Sequence, residues 1–371
     1  MEKSKKALIP AWLGVACVWF GTHCGPGAAS GNQTVQYFVN YGLWSLVMCI
    51  LSMILLGIAL YYALEFSRRT EATDFKDFAN KLFHPYDKIF ANLFEISFVG
   101  TVGLSGGSCV ATCSTIFHDY LGVSNWVGII LIVATTIVFS IYGEKLVRAT
   151  STWMTVGILI CIFAVVVAGI SYNGGVSSSF SGRSLDDANG AEALWRSILY
   201  AAFLSTGVFA NCIAVVHGLT TKNDVKKSVA AGIIINAIFI FIVSLMLLGY
   251  PEAIKDTLPN FWVISKVGAP ILVAAYVIVV FLACATNTIS FSNALSGRYG
   301  KFIKIKNPKI NKLVITILML IYVSAFSKFG LSAIVGVGFK YLGYFCIVTL
   351  LLPTIFVGRK KLKSMGETSA E

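Results

Sequence analysis

A series of long apolar segments constrains this sequence more than any other feature. Hydropathy and length predict ten membrane-spanning helices, joined by connections of about 5 to 22 residues. Because 57% of the residues are hydrophobic and only 12% are charged, the chain is interpreted as a polytopic helical membrane protein without a soluble catalytic domain. The predicted spans are residues 8–30, 41–66, 88–118, 125–142, 146–171, 192–217, 226–250, 269–296, 311–327 and 336–357.

The Lys and Arg residues fall mainly on one side of these spans. That side, which includes both termini and alternate loops, holds 23 of the 29. Because short cytoplasmic loops retain positive charge, we expect a plasma membrane protein with cytoplasmic N and C termini. The net charge of +12 then reflects topology and not nucleic acid binding. A cleavable signal peptide is an alternative interpretation of the N terminus, since residues 27–30 are small, and it would leave nine spans.

Two of the spans contain runs of small and polar residues that are costly in a lipid-facing helix. The first run, residues 21–27, has three glycines and a proline, and the second, residues 204–211, follows five spans later. Five spans per half force opposite topologies, so we expect an all-α single domain built as a 5+5 inverted repeat with discontinuous helices 1 and 6. The alternative for each run is a packing kink. The expected halves are residues 8–171 and 192–357, followed by a tail at 358–371.

Two glycine-rich segments carry a family resemblance. Residues 25–38, GPGAASGNQTVQYF, resemble the first-helix signature G-A-G-F-A-S-G-Q-E, followed by an apolar pair and Q-F-F, of the YkvI-type family of uncharacterised bacterial membrane proteins. Residues 103–122 resemble that family's third helix, which ends in F-x-x-Y-x-G. A proline replaces one small residue, and Asn32 and Gln33 replace Gln-Glu, so a coupling glutamate would be absent. The family resembles a distant branch of the amino acid–polyamine–organocation superfamily, which implies the LeuT-like fold and secondary transport.

Broken helices would expose unpaired backbone groups near the centre of the membrane. Free N–H groups at the start of a second half suit anions, and free carbonyls at the end of a first half suit cations. We therefore expect a substrate carboxylate to bind near the two runs and the small-residue face of the third span. An aromatic side chain is expected to cover the bound substrate. The predicted substrate-binding residues are Gly25, Gly27, Ala28, Ala29, Ser105, Ser205, Thr206, Gly207 and Phe209.

A cation could bind between the first and eighth spans. The carbonyls of Phe20, Gly21 and Thr22 would supply oxygens from the first span. On the eighth span, Thr286 and Asn287 partly match the A-x-x-T/S-S/T pattern of sodium-coupled LeuT-like transporters, with an amide in place of the second hydroxyl. Hydrogen bonding within or between helices is the alternative role for this pair.

Two ionisable side chains inside the predicted spans are candidates for proton coupling. His23 lies in the first run, where it could shuttle a proton or bond a freed carbonyl. Glu95 lies about two turns into the third span, where it could protonate or pair with a base such as Arg148. The expected coupling ion is Na⁺ or H⁺, and no other cofactor is expected.

These features favour a secondary active transporter that moves a small organic solute, an amino acid or a related compound, by alternating access. A transporter-like receptor that binds a nutrient and signals is the main alternative. Residues 103–106 match the G-x-S-G of intramembrane serine proteases, but no histidine is well placed, so an enzyme is not expected. The nine cysteines lie in apolar segments, without the spacing of a zinc site or a disulfide framework. The sequence leaves the oligomeric state open.

Overall fold

The computed structural model describes residues 10–72, 74–142 and 144–367, with side chains described outside 142–155 and 367. These residues form helices and turns, and no β-strand occurs among them. The helices up to residue 180 are α1 (Ala11–His23), α2 (Pro26–Ala29), α3 (Asn32–Tyr37), α4 (Trp44–Thr70), α5 (Phe75–Phe83), α6 (Asp87–Thr115), α7 (Asn125–Tyr142), α8 (Glu144–Tyr172) and α9 (Ser177–Phe180). Those that follow are α10 (Gly190–Ile213), α11 (Lys222–Leu248), α12 (Pro259–Val267), α13 (Pro270–Tyr299), α14 (Pro308–Ser327), α15 (Leu331–Ala333), α16 (Phe339–Cys346) and α17 (Leu352–Glu367).

The helices are long and apolar, as expected of a multi-pass membrane protein. In the described ranges seven segments are long and apolar enough to cross a bilayer, namely α4, α6, α10, α11, α13, α14 and the segment Leu331–Gly366 that contains α15 to α17. Shorter apolar stretches occupy Asn125–Ile141 and Val156–Tyr172, and α1 has 13 residues. The all-α membrane architecture is therefore confirmed, and the count of ten spans stays a prediction.

Apolar side chains cover the outside of the bundle. Trp126, Ile271 and Val348 are examples of large apolar residues that are mostly exposed. A soluble protein rarely exposes so much contiguous apolar surface, whereas a lipid-facing surface requires it.

The long helices of the N-terminal half pack against long helices of the C-terminal half. α1 lies along α11 and α4 lies along α10, while α6 lies along α14 and α13 lies along α7 and α8. Small residues allow these helices to approach closely. At Gly232 in α11, a Cβ atom would lie only 2.1 Å from the ring of Trp19, which is fully buried in α1. The glycine therefore makes room for the indole ring of Trp19.

Candidate functional site

The first span is interrupted inside the bundle. α1 ends at His23, the Cys24 N–H donates to Phe20 O at 2.7 Å, and Gly25 has an extended backbone. Pro26 then begins α2, and because its nitrogen carries no hydrogen, it cannot continue the hydrogen bonding of α1. A proline also disfavours helical geometry in the residue before it, which accounts for the extended Gly25. The break follows directly from the local sequence.

A small cavity lies beside this break, between α1, α6, α10 and α13. Its volume is about 30 Å³, which is room for the centres of one or two water molecules. None of its fourteen lining residues, all within the described ranges, is Asp, Glu, Lys or Arg. They are Thr22, His23, Gly25, Pro26, Gln33, Thr101, Ser105, Ser108, Phe203, Leu204, Gly207, Asn287, Phe291 and Phe339.

His23 is buried at the end of α1 and held by two hydrogen bonds. Its Nδ1 lies 2.6 Å from Asn236 Oδ1, and its Nε2 lies 2.8 Å from Tyr200 Oη. Asn236 donates its Nδ2 to Gly232 O at 2.7 Å, so its oxygen faces the imidazole and His23 Nδ1 is the donor. Tyr200 Oη also lies 3.4 Å from Gln33 Oε1. These contacts fasten the end of α1 to α10 and α11.

The sixth span does not contain the break that its composition suggests. α10 runs without interruption through residues 204–211, so the prediction of a discontinuous helix there is wrong. The run contains no proline, and the Ser205 hydroxyl donates to Ala202 O at 2.6 Å, which satisfies it within the helix. Because the helix is continuous, the N–H groups after Gly207 are inside it and are not free to bind a carboxylate.

The predicted site residues divide into two groups in the structure. Six of them line the cavity: Thr22, His23, Gly25, Ser105, Gly207 and Asn287. Ten lie outside its wall: Phe20, Gly21, Gly27, Ala28, Ala29, Glu95, Ser205, Thr206, Phe209 and Thr286. Ala29 O, for example, accepts hydrogen bonds from Asn260 Nδ2 and Tyr276 Oη at 2.9 and 2.7 Å, which tie α2 to α12 and α13. The functional role of both groups stays a prediction.

Several of the predicted cation ligands make hydrogen bonds within the protein. Phe20 O already accepts the N–H that caps α1. The Thr286 hydroxyl donates to two carbonyls of its own helix at 2.9 and 3.0 Å, and Asn287 directs its Nδ2 toward Ser105 Oγ at 3.3 Å. A hard cation needs several oxygens around one point, and a Na⁺ site at these residues stays a prediction.

Glu95 lies away from the cavity and pairs with the end of α13. Arg298 Nη2 and Tyr299 Oη both donate to its carboxylate. The Arg298 guanidinium also lies 5.7 Å from the centre of the Phe75 ring in α5, within cation–π range. The side chain of Arg148, the partner considered from the sequence, lies outside the described residues. Glu95 is therefore an ion-pair partner that joins α6, α13 and α5.

The two residues that hold His23, Asn236 and Tyr200, were not singled out from the sequence. Asn236 is an amide within the apolar part of α11, and such a residue signals an interhelical hydrogen bond, so it could have been found. Tyr200 gives no comparable signal, because its role depends on His23, which is 177 residues away in the sequence.

Comparison with known proteins shows which proteins this chain resembles in sequence and in fold. The chain is 21% identical over 363 residues to the uncharacterised membrane protein YkvI of Bacillus subtilis (strain 168), covering 93% of this chain and 94% of the relative. A Na⁺-coupled sialic acid symporter in its substrate-bound outward-open state matches with a TM-score of 0.61 at 14% identity, over 95% of this chain and 90% of the other. The chain has the LeuT-like fold.

Two further solved structures agree with that fold. Inward-facing Mhp1 has a TM-score of 0.57 at 15% identity, over 96% of this chain and 80% of that one. A manganese transporter of Eremococcus coleocola has a TM-score of 0.58 at 12% identity, over 93% and 78%. No family model matches the chain. The predicted resemblance to YkvI and to LeuT-like proteins is thus confirmed, and the chain is a distant homologue of YkvI.

The LeuT-like fold gives the cavity its context. In such transporters the solute site lies near the membrane midplane, beside discontinuous helices. The cavity of this chain adjoins the interruption at Cys24 and Gly25 and is closed by side chains of α6, α10 and α13.

Proposed function

We propose that this protein is a secondary active transporter that moves a small organic solute by alternating access. The observation that carries the proposal is a partly polar cavity beside a broken first helix in a LeuT-like fold. The cavity holds hydroxyl, amide and aromatic groups, which is typical of small-molecule sites. Coupling of transport to Na⁺ or H⁺ stays a prediction.

We propose further that α1, α7 and α8 also cross the membrane, which gives ten spans in two inverted halves. The pairing of helices between the two halves supports this repeat. The contact of α1 with α11 is equivalent to that of α10 with α4, and the contact of α6 with α14 is equivalent to that of α13 with α7. These are the first–seventh, sixth–second, third–ninth and eighth–fourth pairs of spans. The asymmetry of Lys and Arg supports cytoplasmic termini in the plasma membrane.

An intramembrane protease has no support in the contacts of Ser105. Its Oγ accepts from Asn287 Nδ2, while both ring nitrogens of the nearby His23 are engaged by Asn236 and Tyr200. A serine nucleophile needs a base within hydrogen-bond reach, and within the described contacts Ser105 has none.

Uptake by reconstituted protein tests the transport proposal. Purified protein in liposomes should accumulate at least one radiolabelled solute from a panel of amino acids, amides and nucleobases above empty liposomes. Ser105→Trp, which fills the cavity, should abolish that uptake. Ile96→Trp is the matched control on the same helix, because Ile96 is 60% exposed on the outer surface, and it should retain uptake.

Two outcomes would contradict this proposal. Saturable binding without uptake would support the receptor function instead. Absence of both binding and uptake across the panel would remove the cavity as a solute site.

A further inference from the structure

Most hydroxyl groups in the cavity wall already donate hydrogen bonds to carbonyls of their own helices. The hydroxyls of Thr22, Thr101 and Ser108 each donate to the carbonyl four residues earlier, at 2.8, 2.8 and 2.9 Å. Such bonds satisfy the donor within an apolar helix. These three side chains therefore contribute shape and some polarity to the cavity, but no free donor.

Ser105 and Asn287 differ from the other polar groups. Asn287 Nδ2 donates to Ser105 Oγ at 3.3 Å across the contact of α13 with α6. In the described part of the chain, the Ser105 hydroxyl proton and Asn287 Oδ1 have no protein partner. A free donor and a free acceptor thus lie side by side in the cavity wall, and Asn287 is more than nine-tenths buried. Gly25 lies against this pair, since a Cβ there would be 2.9 Å from Asn287 Nδ2.

Among the described residues, no carboxylate, ammonium or guanidinium group lines the cavity to stabilise a charged solute. Its wall, which lies entirely in the described ranges, contains no Lys, Arg, Asp or Glu. His23 has both ring nitrogens engaged by protein side chains, and the continuous α10 offers no free helix N terminus. Moving a carboxylate or ammonium group from water into such a site without a partner is strongly unfavourable.

Aromatic rings supply flat surfaces to the same cavity. Phe203 and Phe339 are stacked, with ring centres 4.6 Å apart and an angle of 15° between their planes, and Phe291 lines the cavity as well. Aromatic faces pack well against planar groups.

We propose that the solute is uncharged and planar and carries an amide edge, with an N–H and a C=O on the same side. The N–H donates to Asn287 Oδ1, and the C=O accepts from the Ser105 hydroxyl. Cyclic amides such as nucleobases and primary amides of aromatic rings have this edge. The inference rests on the proposed transport function. Because the cavity is only about 30 Å³ here, binding requires it to widen.

Pairs of compounds that differ in charge test the inference on the wild-type protein. Nicotinamide and nicotinate have the same ring and nearly the same size, but one carries an amide and the other a carboxylate. Orotate is uracil with an added carboxylate. Thermal unfolding and titration calorimetry of the purified full chain should show at least one uncharged member that binds about tenfold or more tightly than its charged partner. Leucine and alanine serve as zwitterionic comparisons.

A matched pair of variants tests the two polar groups. Ser105→Ala removes the free donor and should weaken binding of the uncharged amide about tenfold. Ser97→Ala is the matched control on the same helix, outside the cavity wall: it removes a hydroxyl that donates to Leu93 O of its own helix at 3.0 Å and should change the affinity less than about threefold. Equal losses in the two variants would overturn the assigned contact.

The outcomes separate this inference from the transport proposal. If only charged compounds or zwitterions bind or are transported, the amide inference is overturned and the transport function stands. If no compound of either class binds or is taken up, both fail together.

Discussion

α1 and α10 contain similar runs of small and polar residues, yet only the first span is broken. In the first span Gly25 is extended and Pro26 starts a new helix. In α10, Gly207 is flanked by residues that remain helical, and the neighbouring hydroxyl of Ser205 bonds a carbonyl of the same helix. The difference shows that the proline, rather than the small or polar character of a run, interrupts the helix.

The partners of the two spans differ as well. The break in the first span leaves the end of α1 free to be held by buried side chains, and His23 bonds both Asn236 and Tyr200. α10 makes a second polar link to α1, from Asn211 Nδ2 to Thr22 Oγ1 at 3.0 Å. The end of α1 is therefore held in place by hydrogen bonds from side chains, whereas the corresponding part of α10 is held by its own backbone hydrogen bonds.

The largest effect is expected from giving α10 the residue that breaks the first span. Gly207→Pro removes a helical hydrogen bond and introduces a clash, which should lower the free energy of unfolding by about 3 kcal/mol. Pro26→Ala should cost less than about 1 kcal/mol, because the break already exists. Thermal unfolding of purified protein in detergent measures both, and equal losses would contradict the role given to the proline.

A smaller effect is expected from removing the amide that holds the end of α1. Asn236→Leu leaves His23 Nδ1–H buried without a partner and should cost about 2 kcal/mol. Asn211→Leu is the matched control in α10, since its amide is only partly buried, and it should cost less than about 1 kcal/mol. The same unfolding measurement ranks the two variants, and the reverse order would show that the end of α1 is held by other contacts.

Alanine substitutions compare the space beside Gly27 in the first span with the space beside Gly207 in α10. Gly27→Ala places a Cβ 2.6 Å from Gln33 Nε2, which must move, and we expect a loss of about 1 kcal/mol. At Gly207 a Cβ lies 3.3 Å from Thr22 Cγ2, and the gain in helix propensity of about 1 kcal/mol offsets this contact. Gly207→Ala should therefore leave the unfolding temperature nearly unchanged, and a strong loss would indicate tighter packing of α10.

The smallest difference is expected between two serines. Ser30 Oγ donates to Gly27 O at 3.1 Å and accepts the Asn32 N–H at 3.3 Å, so it links α2 to α3. Ser30→Ala should cost about 0.5 to 1 kcal/mol, whereas Ser205→Ala should cost less than about 0.5 kcal/mol because the α10 backbone is already bonded. Unfolding temperatures of the two variants decide this, and equal values would mean that Ser30 does not stabilise the break.

Much of the fold could be predicted from the sequence because the signals are local. The third predicted span, residues 88–118, corresponds to α6 at Asp87–Thr115, and the eighth, 269–296, to α13 at Pro270–Tyr299. Apolar length alone sets these bounds. The break at Gly25 also follows from the neighbouring proline. The break predicted in α10 is wrong because composition does not show whether hydroxyl groups bond their own helix.

The candidate site is harder to predict because its contacts join distant parts of the chain. His23, Ser105 and Asn287 are recognisable as polar groups in apolar spans, and all three line the cavity. Their partners cannot be derived from spacing. Glu95, for example, meets Arg298, which is 203 residues away, and its pairing depends on how α6 and α13 cross.

The two parts of the first span are attached to different neighbours. α1 is tied to α10 and α11 through His23, whereas α2 is tied to α12 and α13 through Ala29 O and through the Asn260 N–H, which donates to Ser30 O at 3.0 Å. Cys24 and Gly25 are the only residues between α1 and α2. If the two groups of helices move apart, the rotation falls on the few backbone torsions of this hinge, and neither helix has to unwind.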